Sequence, residues 1–192
     1  MNWIDLISAV LGLSCVVLAG RRLVANFWVG YVYNIFLFIL FLYNGLYASM
    51  AIQLLAFAIN GIGHWRWTHP EEKEMASDGS LAVTRLSSRE YVWYSLLVVA
   101  TFGMLFLLLR NTNDPQPVLD SVCTAMILLA QWLSAQKKLE CWWVWLAVNI
   151  MNLILYLKAG LLFMPIVALL YLANGIWSLI SWNKHEGNTE NN

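Results

Sequence analysis

Trp142, Trp145, Asn149, Asn152 and Tyr156 recur every three or four residues, which at about 100° per residue puts them on one face of a helix. A second stripe, Gln53, Phe57, Asn60, His64 and Trp67, falls within an arc of about 80°. Tyr171, Asn174 and Ser178 form a third, and Asp120, Thr124 and Gln131 a fourth. Amides both donate and accept, so they suit hydroxyls and carboxamides. Aromatic rings stack on planar heterocycles and attract cations to their faces. This is equipment for recognition. Catalysis has no visible residues, because no Ser-His, paired Asp or clustered His arrangement accompanies the stripes. Cys15, Cys123 and Cys141 read as small packing residues, neither a disulfide framework nor a metal site. No metal and no cofactor is expected.

The elements that carry these stripes are apolar. Of 192 residues 60% are hydrophobic and 11% charged, against about 25% charged in a soluble domain. Eleven basic residues balance eleven acidic ones, so no net charge draws the chain to nucleic acid. No Asp, Glu, Lys or Arg occurs in 23–65, 91–109, 121–136, 141–157 or 159–183. Runs of this kind are selected by a bilayer, where a spanning helix needs about 20 apolar residues. Seven spans are expected, at 3–20, 26–43, 47–66, 91–109, 118–136, 141–157 and 161–182, with the long second run broken at Asn44-Gly45. The polar stretch from Thr68 to Ser88 reads as a flexible linker, and Lys184–Asn192 as a disordered tail.

Basic residues orient the chain. Arg21, Arg22, Arg66, Lys73, Arg85, Arg89, Lys137, Lys138 and Lys184 fall on one face, and only Arg110 and Lys158 on the other. The positive-inside rule makes the first face cytoplasmic, with the N-terminus outside and the C-terminus inside. Trp143 points away from Trp142 and Trp145 and reads as an interfacial ring, as do Trp65, Trp132 and Trp182.

The chain also repeats itself. Trp28-Val29, Asn34-Ile35 and Ile39-Leu40 return as Trp143-Val144, Asn149-Ile150 and Ile154-Leu155. Gly45-Leu46 returns as Gly160-Leu161, Asn60-Gly61-Ile62 as Asn174-Gly175-Ile176, and Arg21-Arg22-Leu23 as Lys137-Lys138-Leu139. The expected fold is therefore an all-α membrane protein of seven transmembrane helices in a 3+1+3 parallel repeat, similar to the SWEET proteins, with a site between the repeats. Residues 1–67 form the first triplet, 68–90 a cytoplasmic linker, 91–109 the linking helix, 118–183 the second triplet and 184–192 the tail. The candidate substrate residues are Asn34, Gln53, Asn60, His64, Trp142, Trp145, Asn149, Tyr156, Tyr171 and Asn174. The competing account is that such amides only join helices. No ionisable side chain falls near mid-membrane, so neither a proton relay nor a voltage sensor is expected, and the simplest device is a passive facilitator.

These residues resemble the PnuC-type vitamin transporters over about residues 3 to 182. The resemblance rests on Asp120-Ser121, Lys137-Lys138, the run Glu140-Cys141-Trp142-Trp143-Val144-Trp145 with Asn149, and Leu46-Tyr47-Ala48-Ser49 with Gln53 and Asn60. Trp3-Ile4-Asp5 and Asn26-Phe27 add to it. It departs at Ile62-Gly63-His64-Trp65-Arg66-Trp67, where His64 stands in place of a family Trp. The resemblance implies a homotrimer in the lipid of a bacterial inner membrane. It implies facilitated uptake of nicotinamide riboside, trapped inside by a cytoplasmic kinase, and places Trp142, Trp145 and Asn149 at the substrate. Relatives carrying thiamine, riboflavin or deoxynucleosides give the alternatives. A vitamin-binding subunit of an ATP-driven importer is a rival of another class, but such subunits typically have six spans. A retinal photoreceptor needs a lysine in its last helix, and 159–183 has none.

Overall fold

The computed structural model describes residues 3–43, 47–111, 117–158 and 164–189. They form seven α-helices: α1 (Trp3–Gly20), α2 (Ala25–Tyr43), α3 (Tyr47–Thr68), α4 (Ser88–Leu109), α5 (Pro117–Ala135), α6 (Cys141–Lys158) and α7 (Met164–Thr189). α2 to α7 lie largely within the five charge-free runs, α2 and α3 sharing the first. Four of them, α2, α4, α5 and most of α7, are long and apolar enough to cross a membrane, and α1 and α6 contain shorter apolar stretches. Where no water competes, a helix satisfies its own backbone. The Asn44-Gly45 turn and the Gly45-Leu46 and Gly160-Leu161 pair lie outside the described residues.

Six helices close into a ring. α1 packs on α2, α2 on α3, α3 on α5, α5 on α6, α6 on α7, and α7 returns to α1. α4 stands outside, packed chiefly on α5, with Leu105 its one buried residue. Its start is fixed by a capping box: Ser87 Oγ accepts from Glu90 N, and the Glu90 carboxylate accepts from Ser87 N.

The α1–α2 and α5–α6 turns are copies of each other. Arg22 N donates to Ala19 O and Leu23 N to Leu18 O; Lys137 N donates to Ser134 O and Lys138 N to Leu133 O. Each is a Schellman cap. The residue at its left-handed position is Arg22 (φ 59°) or Lys137 (φ 55°), where glycine is usual. The bonds that open α2, from Asn26 N to Leu23 O and Phe27 N to Val24 O, recur at α6 from Cys141 N to Lys138 O and Trp142 N to Leu139 O.

The stretch from residue 68 to 90 differs from the expected flexible linker. Leu81 and Val83 are 3% and 6% exposed and join a cluster with Phe27, Trp67, Trp142 and Trp182 at the basic end of the ring. Thr84 bridges Lys138, through bonds from Thr84 N to Lys137 O and from Leu139 N to Thr84 O. Lys137 Nζ donates to Leu81 O and lies 4.8 Å from the Trp67 ring centroid. Arg66 pairs with Glu74. Alternating burial along Leu81-Ala82-Val83-Thr84 is what ties this strap down. α7 also continues to Thr189, past Asn183, so 184–189 is helical where a disordered tail was expected; a helix already propagating extends readily through polar residues. Trp182, expected at the interface, is fully buried and donates from Nε1 to Gly20 O.

Candidate functional site

Inside the ring is a cavity of about 390 Å³, lined by α1, α2, α3, α5, α6 and α7 but not α4. Helix direction orders its lining. α2 and α6 start at the basic end, whereas α1, α3, α5 and α7 finish there. Trp67, Trp142 and Trp145 therefore wall the basic end, Tyr33, Asn34, Asn60 and Asn149 the middle, and Tyr156 and Met164 the far side, with Tyr171 between. Tyr156 lies 14 residues beyond Trp142 on α6, about 21 Å along the axis.

The α6 face arrives whole, since Trp142, Trp145, Asn149, Asn152 and Tyr156 all line the cavity while Trp143 is 61% exposed on the outer surface. From α3 come Gln53, Asn60 and Trp67, with Ala56 between them. Asn60 Nδ2 donates to Phe27 O at 2.9 Å, and Trp145 Nε1 to Ser134 Oγ at 3.4 Å. Trp67 Nε1 donates to Ser134 O at 3.3 Å, closing the α3–α5 seam. Gln131 Oε1 and Trp142 Nε1 are buried without a partner. An orphan of this kind costs about 1–3 kcal/mol. Two of them on residues lining one cavity favour a ligand that donates to the amide and accepts from the indole.

Eight of the ten sequence candidates line this space: Asn34, Gln53, Asn60, Trp142, Trp145, Asn149, Tyr156 and Tyr171. His64 and Asn174 do not. His64 lies four residues after Asn60, about 40° further round the helix, which turns its ring to α2. There it stacks on Phe27 at 5.5 Å, meets Trp28 edge-on, and holds Tyr31 Oη 3.2 Å from Nδ1. Asn174 Nδ2 donates to Val16 O at 3.2 Å and joins α7 to α1. Phe57 packs on Tyr31, and Ser178 is buried against Gly20. Of the α5 stripe only Gln131 reaches the cavity. Tyr33, Ser134, Cys15 and Gly12 line it without having been expected. The three cysteines are free thiols. Among the described residues, no Asp, Glu, Lys, Arg or His lines the cavity.

The model of the nicotinamide mononucleotide transporter family matches residues 2–184. The chain belongs to this family. It is accordingly a multi-pass membrane protein of a transporter family. The chain is similar to the nicotinamide riboside transporter PnuC of Haemophilus influenzae, 25% identical and covering 95% of this chain and 80% of the relative. It is similar to the PnuC of Neisseria mucosa at 24% identity, over 95% and 73%. The riboflavin/roseoflavin transporter RibM of Streptomyces davaonensis is 26% identical over 94% and 84%. Among solved structures, a crystal structure of the vitamin B3 transporter PnuC superposes with a TM-score of 0.75 at 24% identity, covering 97% of this chain and 83% of that one. The fold is shared.

Proposed function

We propose that this protein is a facilitator that carries nicotinamide riboside into the cell. The observation that carries this reading is a cavity inside the helix ring, walled by indole, phenol and carboxamide groups, with no ionised side chain among the described lining residues. Nicotinamide riboside bears a fixed positive charge on its ring, which aromatic faces attract, and ribose hydroxyls that amides can read. The mononucleotide would add a phosphate of about −1.5 to −2 charge, for which this lining offers no cation. Relatives named for nicotinamide riboside support the same choice.

The wider reading is a bacterial inner-membrane protein of seven spans with its N-terminus outside, working as a homotrimer. The 3+1+3 parallel repeat, similar to the SWEET proteins, is supported by the copied turns at Arg22 and Lys137 and by the ring order. With no Asp, Glu, Lys, Arg or His among the described lining residues, uptake runs down the gradient, and cytoplasmic phosphorylation retains the product. Riboflavin is the second reading, favoured by the RibM relative and by stacking walls that need no charge on the ligand.

Calorimetric titration of purified protein with nicotinamide riboside, thiamine, riboflavin and deoxynucleosides tests the substrate. Saturable binding of nicotinamide riboside, tightest of the panel, is expected; tighter binding of another member overturns the assignment. Liposome uptake should persist without ATP and in the presence of an ionophore. An ATP requirement would favour an importer subunit, and collapse with the ionophore would overturn passive transport.

A further inference from the structure

Tyr171 and Tyr33 converge on a single glycine. A Cβ built on Gly12 would stand 2.2 Å from Tyr171 Oη, but 3.6 Å from Tyr171 Cζ and from Tyr33 Cζ. The rings therefore fit against a methyl group at ordinary contact distance. Only the Tyr171 hydroxyl needs the missing side chain. Gly12, Tyr33 and Tyr171 all line the cavity, so the seat that Gly12 provides lets the phenol lie back against α1. Without that seat the hydroxyl has to shift, and the space open to it is the cavity.

We propose that the Gly12–Tyr171 contact sets the width of the cavity beside α1 and thereby limits the ring system that the protein accepts. The inference rests on the cavity being the substrate site and deepens that reading. A vitamin with one aromatic ring and a ribose fits beside the seated phenol. A three-ring isoalloxazine needs the volume that the phenol fills. Tyr171 is then a specificity-determining residue and Gly12 its positioning partner.

The test uses four variants of the full chain: Gly12→Ala, Tyr171→Phe, the double variant and Tyr171→Ala. Each is titrated with nicotinamide riboside and riboflavin, and its fold is checked by thermal unfolding. Gly12→Ala should weaken nicotinamide riboside about fivefold or more, since overpacking moves a wall side chain, and the double variant should recover to within about twofold. Tyr171→Phe alone gives the baseline from which the recovery in the double variant is read. Tyr171→Ala should shift preference toward riboflavin by about tenfold, as cavity volume is released. Wild-type affinity in Gly12→Ala, no recovery in the double variant, or an unchanged preference in Tyr171→Ala would overturn the proposal. If Gly12→Ala does not fold, the preference of Tyr171→Ala decides. If the wild type binds thiamine or a deoxynucleoside instead of nicotinamide riboside, the substrate assignment fails while the recovery is still read on the bound ligand.

Discussion

Tryptophans three residues apart on α6 have different duties. Trp142 is 2% exposed and packs edge-on to Trp182 in the cluster that closes the basic end. Trp145 is partly buried, held by one bond to Ser134. Trp145→Ala should therefore weaken nicotinamide riboside about thirtyfold, the equivalent of about 2 kcal/mol of cation–π attraction. Its melting temperature should stay near the wild type, and calorimetry with thermal unfolding checks both. Trp142→Ala should cost about 3–5 kcal/mol of stability, read as a lower melting temperature. His64→Phe should leave affinity within about twofold, because no atom of His64 lines the cavity; a large loss in the same titration would bring His64 back to the ligand. The α6 stripe was legible because its opposite face carries Trp143, Ile150, Ile154 and Leu157, all exposed, so polarity and phase agree. On α3 the stripe is wider than the cavity, and periodicity does not say which neighbour its edge meets. Tyr33 and Gly12 carried no signal, since a tyrosine or glycine in an apolar helix is ordinary without its partner.

Helix ends could be read from charge, because basic residues bound most of the apolar runs. The strap from 68 to 90 could not, because its many polar residues masked the alternation at Leu81 and Val83. Its anchor is Lys137, 3% exposed. Burial, helped by the nearby Arg22 charge, pulls its ammonium down to about 8 from 10.5. Between those values the unfolded chain holds a proton that the folded protein has released, so this residue's contribution to stability rises with pH across the window. Below about 8 both states are charged and the cost of burying the ammonium is felt in full. Melting temperatures of the wild type and Lys137→Met, compared from pH 7 to 10.5, should separate in favour of the wild type as pH rises. A difference that stays constant would mean that Lys137 keeps its proton in the folded protein.

On the scale of the whole molecule, six helices line the cavity and α4 stands outside them, packed chiefly on α5. An odd number of crossings puts the two termini on opposite sides of the membrane. Tags at each end, probed with a membrane-impermeant reagent on intact cells, should be labelled at the N-terminus and protected at the C-terminus. Equal labelling would mean an even number of crossings. The matching turns at Arg22 and Lys137 were foreshadowed by the repeated basic residues; the number of copies in the assembly was not legible, because lipid-facing and partner-facing apolar surfaces have the same composition. The helices also differ in length. α4 has 22 residues, with most of its surface bare of protein, whereas α1 and α6 have 18. Their charge-free parts are 91–109 in α4, 6–20 in α1 and 141–157 in α6, about 28 Å against about 22 and about 25 Å, so one hydrocarbon slab fits them unequally. Either the bilayer pinches around the ring or α4 leans, each at a cost that grows with the mismatch. Acyl-chain length then acts as a control on turnover, and liposome flux should be highest in lipids of intermediate length and fall off in shorter and longer ones.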